Sequence, residues 1–315
     1  MEKSKLEIVV AEDATQAKKY KKQGYCPVEC SFGEISVVDE LFLDHHGQLS
    51  KLDPVCIRAF ERHSGKRADD TRFVVTGGPD ADAVLCIIAL SDAVNFMRFS
   101  STGSRHGDLH DLYKLAARRD RDPHVDMVKA CQKNSGNTVL LWFLQQRFRE
   151  WDSAVEGMIS ACNKWMSDQS CFMHCLEAEQ GRKEQAAEDM KNGTVFPVYS
   201  TELSILLVEP EGGFGFDVWY KKHDFVVLLN KEHGTVTVGA RDVETARKLG
   251  DRGLRSLFEE LSKKQPGWGG SPTVGGSPRG QKMDAMDAVQ ACFVLACNLA
   301  SNETFSMWEP YINHA

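Results

Sequence analysis

The chain has 315 residues, 42% apolar and 26% charged, with a formal net charge of -7. That length supports two domains with buried cores in an ordinary globular composition. The acidic balance excludes the global basic footprint that long duplex nucleic acid requires, and leaves room only for a local groove that takes a short oligonucleotide.

Apolar, β-favouring runs near residues 5–11, 35–43 and 71–76 alternate with helical stretches at 14–23, 54–63 and 83–93. The alternation predicts an α/β fold in residues 1–180, with a parallel sheet flanked by helices. Each run ends in polar chemistry. The first leads into Glu12-Asp13, the second into Asp44-His45-His46-Gly47, and the third through Gly77-Gly78-Pro79 into Asp80-Ala81-Asp82. Ligands of open parallel sheets gather at the carboxyl ends of the strands, so three such ends are worth more than any one. Carboxylate with imidazole suits divalent manganese, iron or zinc, and side chains two apart on extended backbone point the same way, as Asp80 and Asp82 would. Plainer readings stand beside this. Asp80 or Asp82 would serve as N-cap of the helix starting near Ala83, His45 and His46 would be solvated loop residues, and Glu12 competes with Asp13 as the strand-end acid.

From Leu109 onward the chain reads as helical, with an apolar run at 139–148 and helical spacing at 151–165. Before it, residues 103–108 read as a polar loop that offers His106 and Asp108 to a nearby site. Cys162, Cys171, His174 and Cys175 have the residue types of a zinc site, but they lie in an apolar stretch where cysteine is most often a buried thiol. The ten cysteines follow no secreted disulfide spacing and no signal peptide is visible, which predicts reduced thiols in a cytoplasmic protein. No apolar run approaches the roughly 20 residues that span a bilayer.

Residues 178–193 are charged and read as a solvated helical linker. Residues 194–315 then form a smaller α+β domain. Strands are expected at 202–208, 215–220, 225–229 and 235–240, a helix at 243–264, a glycine-rich loop at 267–280 and an apolar closing helix at 283–299. In that loop Gly275, Gly276 and Ser277 would present backbone N–H groups to a phosphate. Arg279 there, and Arg241 at a strand end, would pair with one bidentately. A flexible linker without ligand is the plainer reading of the loop.

Asp44-His45-His46 and the segment 74–90 resemble the motifs of the DHH phosphoesterases. The family places its Asp-x-Asp motif first; here the order is Asp13, Asp44-His45-His46, then Asp80-x-Asp82, as if the domain were circularly permuted. The strand 236–241 followed by a helix, and Gly275-Gly276-Ser277-Pro278-Arg279, resemble the DHH-associated C-terminal domain and its Gly-Gly-Gly-His-Pro loop, with serine in place of histidine. The resemblance implies two Mn2+ ions per chain, with Mg2+ or Co2+ as substitutes, held by Asp13, His45, Asp80 and Asp82. Gly78 stands where the family has a ligand histidine, so His106 or Asp108 would complete the set. Asp44 would orient the imidazoles, and His46 would contact the phosphate or protonate the leaving group. Arg241, Gly275, Gly276, Ser277 and Arg279 would hold the substrate. The function implied is divalent-metal-dependent hydrolysis of short oligonucleotides or small nucleotide phosphoesters by metal-activated water. The alternatives are an exopolyphosphatase or pyrophosphatase-like hydrolase, and a catalytically degenerate nucleotide-binding relative. The partners are a small phosphorylated substrate or short single-stranded oligonucleotide and no membrane, and a homodimer is compatible.

Overall fold

The computed structural model describes residues 6–32, 35–38, 43–44, 53–63, 71–91, 105–122, 125–198 and 202–312, without the side chains of 105–109 and 301–312. It is a mixed α/β structure that divides into two compact units, Met1–Glu179 and Gln180–Ala315.

The first unit is built on β1 (Glu7–Val10), β2 (Cys26–Pro27) and β5 (Arg72–Val75), in the order β1-β5-β2. β5 is central and parallel to both neighbours, with Val10 beside Val75 and Pro27 beside Val74. Its residues Phe73, Val74 and Val75 are all buried, as a strand covered on both faces requires. Successive side chains take opposite faces. Phe73 and Val75 join the large helical core, and Val74 joins a smaller cluster with Ala11, Ala17, Tyr25 and Cys30. Pro27, which cannot donate to a ladder, sits in an edge strand where that costs least.

The expected strand at 35–43 is corrected. β4 (Ile35–Ser36) pairs antiparallel with β3 (Ser31–Phe32), Phe32 opposite Ile35. Residues 39–42 of the expected strand lie outside the described residues, and Leu43 lies beside the end of β2, its carbonyl accepting from the Glu29 N–H at 2.8 Å. The helices α1 (Ala14–Lys22), α2 (Val55–His63) and α3 (Ala81–Ser91) follow the sequence reading closely. In α3 every residue from Asp82 to Leu90 is buried, which marks a helix enclosed by others. Those others are α2, α4 (Arg105–Arg121), α6 (Asn137–Gln146) and α7 (Trp151–Ser167), with α5 (Met127–Lys133) packed on α6. His106 and Asp108 therefore lie on the first turns of α4 rather than in a loop. Its apolar spacing at Leu112, Tyr113 and Ala116 marks the helix further along, while its first turns, Arg105-His106-Gly107-Asp108, are polar in sequence.

α8 (Met173–Asn192) covers the expected linker. The second unit is a six-stranded sheet in the order β10-β11-β9-β8-β7-β6. Its strands are β6 (Thr194–Pro197), β7 (Ser204–Val208), β8 (Phe225–Asn230), β9 (Thr235–Ala240), β10 (Gly269–Gly270) and β11 (Val274–Gly276). β7 and β8 are parallel and the other neighbours antiparallel. Phe225, Val227 and Leu229 point to one core, shared with α11 (Leu254–Ser262) and α12 (Ala285–Ile312). Val226 and Leu228 point to the other, with Ala186 of α8.

Three expectations change here. Residues 215–220 hold a helical turn, α9 (Phe216–Trp219), not a strand; spacing of three and four sets Phe216, Trp219 and Tyr220 on one side, where their rings touch. The helix at 243–264 is two, α10 (Val243–Arg247) and α11, broken where Gly250 and Gly253 adopt φ of 94° and 55°. The glycine-rich loop carries β10 and β11. No helix among the described residues is long and apolar enough to cross a membrane.

Candidate functional site at the carboxyl end of the parallel sheet

The three parallel strands deliver their C-terminal residues to one end of one sheet. β1 leads through Ala11 to Asp13, and β5 through Gly77 to Asp80. β2 leads to Glu29, whose hydrogen bond to Leu43 brings Asp44 to the same end. Glu29 is buried with φ of 51°, a left-handed conformation that non-glycine residues seldom adopt. Its backbone is fixed from three sides: besides the bond to Leu43, its carbonyl accepts from Ser31 N–H at 2.9 Å and from Thr76 Oγ1 at 3.2 Å. Such outliers cluster at functional sites. Gly77 (φ 62°) and Gly78 leave this end open, since a side chain added at either would meet nothing within 4 Å.

Asp13 is exposed and N-caps α1, its Oδ1 accepting from the N–H groups of Thr15 and Gln16 at 2.8 Å. Asp80 caps α3 in the same way, Oδ1 accepting from the Ala83 N–H at 2.8 Å. Desolvation, with lesser contributions from Asp82 and Asp120, pushes the Asp80 carboxyl up to about 6, against the pull of the Ala83 N–H. Asp80 is nevertheless exposed, and solvent screening reduces that shift.

Asp82 has a different place from the one expected. It is 2% exposed, and it caps a neighbouring helix: Oδ2 accepts from the Val55 N–H and Oδ1 from the Cys56 N–H, each at 2.9 Å. A carboxylate under the N-terminus of α2 satisfies donors that the helix cannot pair itself and complements its dipole. Both oxygens of the expected metal ligand Asp82 thus accept from backbone, a capping role across two elements beside the expected metal-binding one. Asp44 is also fully buried, and its Oδ2 accepts from the Ser31 and Ser36 hydroxyls. His45 and His46, which it was expected to orient, lie outside the described residues, as do the side chains of His106 and Asp108.

Arg58 was missed in the sequence. It sits on α2, a cation among the buried residues Val55, Cys56, Ile57, Ala59 and Phe60, and that interruption was its one signal. Its Nη2 donates to the Asp44 carbonyl at 2.9 Å. Burial lowers its pKa from the ordinary value, and the fields of Asp82, Cys86, Asp53 and Asp44 oppose the shift. A guanidinium thus supplies positive charge beside the two buried aspartates.

Donor occupancy decides how well the site suits divalent cations. Asp13 and Asp80 each keep one carboxylate oxygen outside their capping bonds, and hard oxygen donors of this kind suit Mn2+ or Mg2+. Among the described residues no group of three or more His, Cys, Asp or Glu side chains is gathered to hold a metal, so a complete set would have to draw on His45 or the start of α4.

In the second unit the proposed substrate contacts are mostly consumed by the fold. Arg241 pairs with Asp224 at 2.8 Å and Asp242 at 3.1 Å, and reaches Thr245 Oγ1. Gly275 and Gly276 are strand residues. A Cβ at Gly275 would lie 2.3 Å from the Phe258 ring and 2.4 Å from the Gly269 carbonyl, and one at Gly276 would lie 2.9 Å from the Val236 carbonyl. Close packing, not a phosphate, demands glycine there. Ser277 extends the ladder: its N–H donates to the Val236 carbonyl at 2.9 Å, and its Oγ accepts from the Val236 N–H at 3.1 Å. Arg279 is exposed and alone of this group makes no side-chain hydrogen bond or ion pair among the described residues.

No protein-family model matches the chain, and no curated protein matches it. Among solved structures it is similar to an uncharacterized protein from Helicobacter pylori G27, at 14% identity and a TM-score of 0.24. The similarity covers 65% of this chain and spans 58% of that protein's length, a likeness too low to carry an argument.

Proposed function

We propose that the carboxyl end of the parallel sheet is the active site of a divalent-metal-dependent phosphoesterase acting on short oligonucleotides or small nucleotide phosphoesters. The observation that carries this reading is the convergence of Asp13, Asp44 and Asp80 at one end of one sheet, where open α/β sheets bind their ligands. Asp13, Asp80 and His45 would hold the metal, most suitably Mn2+, with His106 or Asp108 completing the set in place of the residue at Gly78. The metal would supply a water of lowered pKa and neutralise charge at phosphorus. Asp44 and Asp82 act one step back: their hydroxyl and backbone donors fix the entry of α2 and the motif segment. His46 would contact the phosphate in this reading, and Arg279 would offer the second unit an uncommitted cation for a phosphorylated ligand.

A second reading has its own observation. Both oxygens of Asp82 are occupied and Arg58 supplies cationic charge beside Asp44, which favours a relative that binds a nucleotide without hydrolysing it. One experiment separates them: a Mn2+-dependent hydrolysis screen over bis-(para-nitrophenyl) phosphate, di- to pentanucleotides, cyclic dinucleotides and polyphosphate, beside metal content. Hydrolysis lost in Asp80→Asn together with bound Mn2+ supports the phosphoesterase. Nucleotide binding without turnover, and without bound metal after Mn2+ addition, supports the second reading.

A further inference from the structure

Along the outer edge of the second unit's sheet, α11 and β10 enclose an open groove of about 440 Å3, lined by Arg252, Arg255, Phe258, Lys263, Trp268 and Gly270 among others. Phe258 and Trp268 are buried and form an apolar floor. The rim carries three cations, Arg252, Arg255 and Lys263, against one lining carboxylate, Glu259, on a chain whose net charge is -7. Arg252 pairs with Glu259 at 2.8 Å, and Lys263 pairs with Glu260. Arg255 is exposed and has no such partner among the described residues, so its charge is uncommitted. Exposed pairs of this kind are weak and readily exchange one carboxylate for another.

The edge itself adds a direction. The Ser271 N–H donates to the Val274 carbonyl at 2.8 Å, which makes Ser271 and Val274 the hydrogen-bonded closing pair of the β10–β11 hairpin. Gly270 and Gly275, the next pair, are then the non-hydrogen-bonded one, and antiparallel geometry turns the N–H and C=O of Gly270 outward from β11. β10 is the terminal strand of the sheet and lines the groove, so the outward N–H and C=O have no strand beyond them among the described residues. A Cβ added at Gly269 would meet nothing within 4 Å, and another backbone can approach closely.

We infer that this groove takes an acidic peptide in extended form, added as a strand beside β10. A phosphate could use the Gly270 N–H and Arg255 but would leave the neighbouring carbonyl unanswered, whereas a peptide residue exchanges both bonds with Gly270. Side chains two apart on such a peptide face α11, where a carboxylate meets Arg255 and an apolar group meets the floor.

Fluorescence anisotropy with a labelled alternating Val-Glu peptide at low salt tests this on the full chain. Binding is expected, with none for the matching Val-Lys peptide. Arg255→Glu and Gly269→Phe, both at exposed positions with room for the new side chain, should each weaken it about tenfold or more. So should methylation of the peptide's backbone amides, which a purely ionic contact would tolerate. Absence of binding by the parent chain, equal affinity in Arg255→Glu, indifference to amide methylation, or displacement by inorganic phosphate at the peptide's own concentration would each overturn the inference.

Discussion

Asp82→Asn is the substitution that best separates a helix cap from a metal ligand. Asparagine keeps the size of the side chain but replaces one acceptor oxygen with an NH2 group. Either the Val55 or the Cys56 N–H would then face a donor, inside a site that is 2% exposed. A hydrogen bond to a charged group is worth about 1.5–3 kcal/mol, and the charge at the helix terminus adds up to about 2 kcal/mol in buried geometry. A loss of about 3 kcal/mol follows for the metal-free protein, and at about 2–4 °C per kcal/mol for a unit of this size the melting temperature should fall by about 6–12 °C. Thermal unfolding in the presence of a chelator measures this, and hydrogen exchange at the Val55 and Cys56 amides localises it. If the chelated variant melts with the parent while its Mn2+ content drops, Asp82 is a ligand and the capping argument is refuted.

Four shorter expectations accompany it. Gly275→Ala should destabilise the second unit by about 1–3 kcal/mol through overlap with Phe258 and the Gly269 carbonyl, while Gly269→Ala should be nearly silent in the same melting assay. Gly78→His, placed where a side chain meets nothing within 4 Å, should raise Mn2+ affinity in a metal titration if the first unit binds metal as proposed. Arg279→Ala should raise KM for an oligonucleotide more than for a small generic phosphodiester; equal losses would give the arginine another role. Burial lowers the pKa of His223, with Asp224 opposing, so the unfolded chain takes the proton more readily. The second unit should therefore lose stability as pH falls below the ordinary histidine value of 6.5, and His223→Gln should abolish that slope.

What could be read from residues alone followed from how local the cause was. Strands β1 and β5 and helices α1, α2 and α3 were legible because each carries its own periodicity or cap, and the Asp80 cap was visible as the plainer alternative to a metal ligand. Asp82 was not assigned to α2 because its partners lie 26 and 27 residues away, and no spacing rule reaches across two elements. β2 was invisible because two residues with a proline make no pattern; only its parallel pairing to β5 defines it. Gly275 and Gly276 misled for the opposite reason. A glycine pair looks the same whether it leaves room for a phosphate or for the ring of Phe258.

The central position of β5 also has a consequence for synthesis. β1 and β2 do not touch each other; both wait for residues 72–75 before either has a neighbour. At roughly 5–20 residues per second on the ribosome, the two outer strands spend several seconds as unpaired apolar chain, and further time while residue 75 clears the exit tunnel. During that interval the nascent chain presents Ile8 and Val9 without the cover they gain in the fold, so the first unit should be a client of co-translational chaperones until its middle strand arrives.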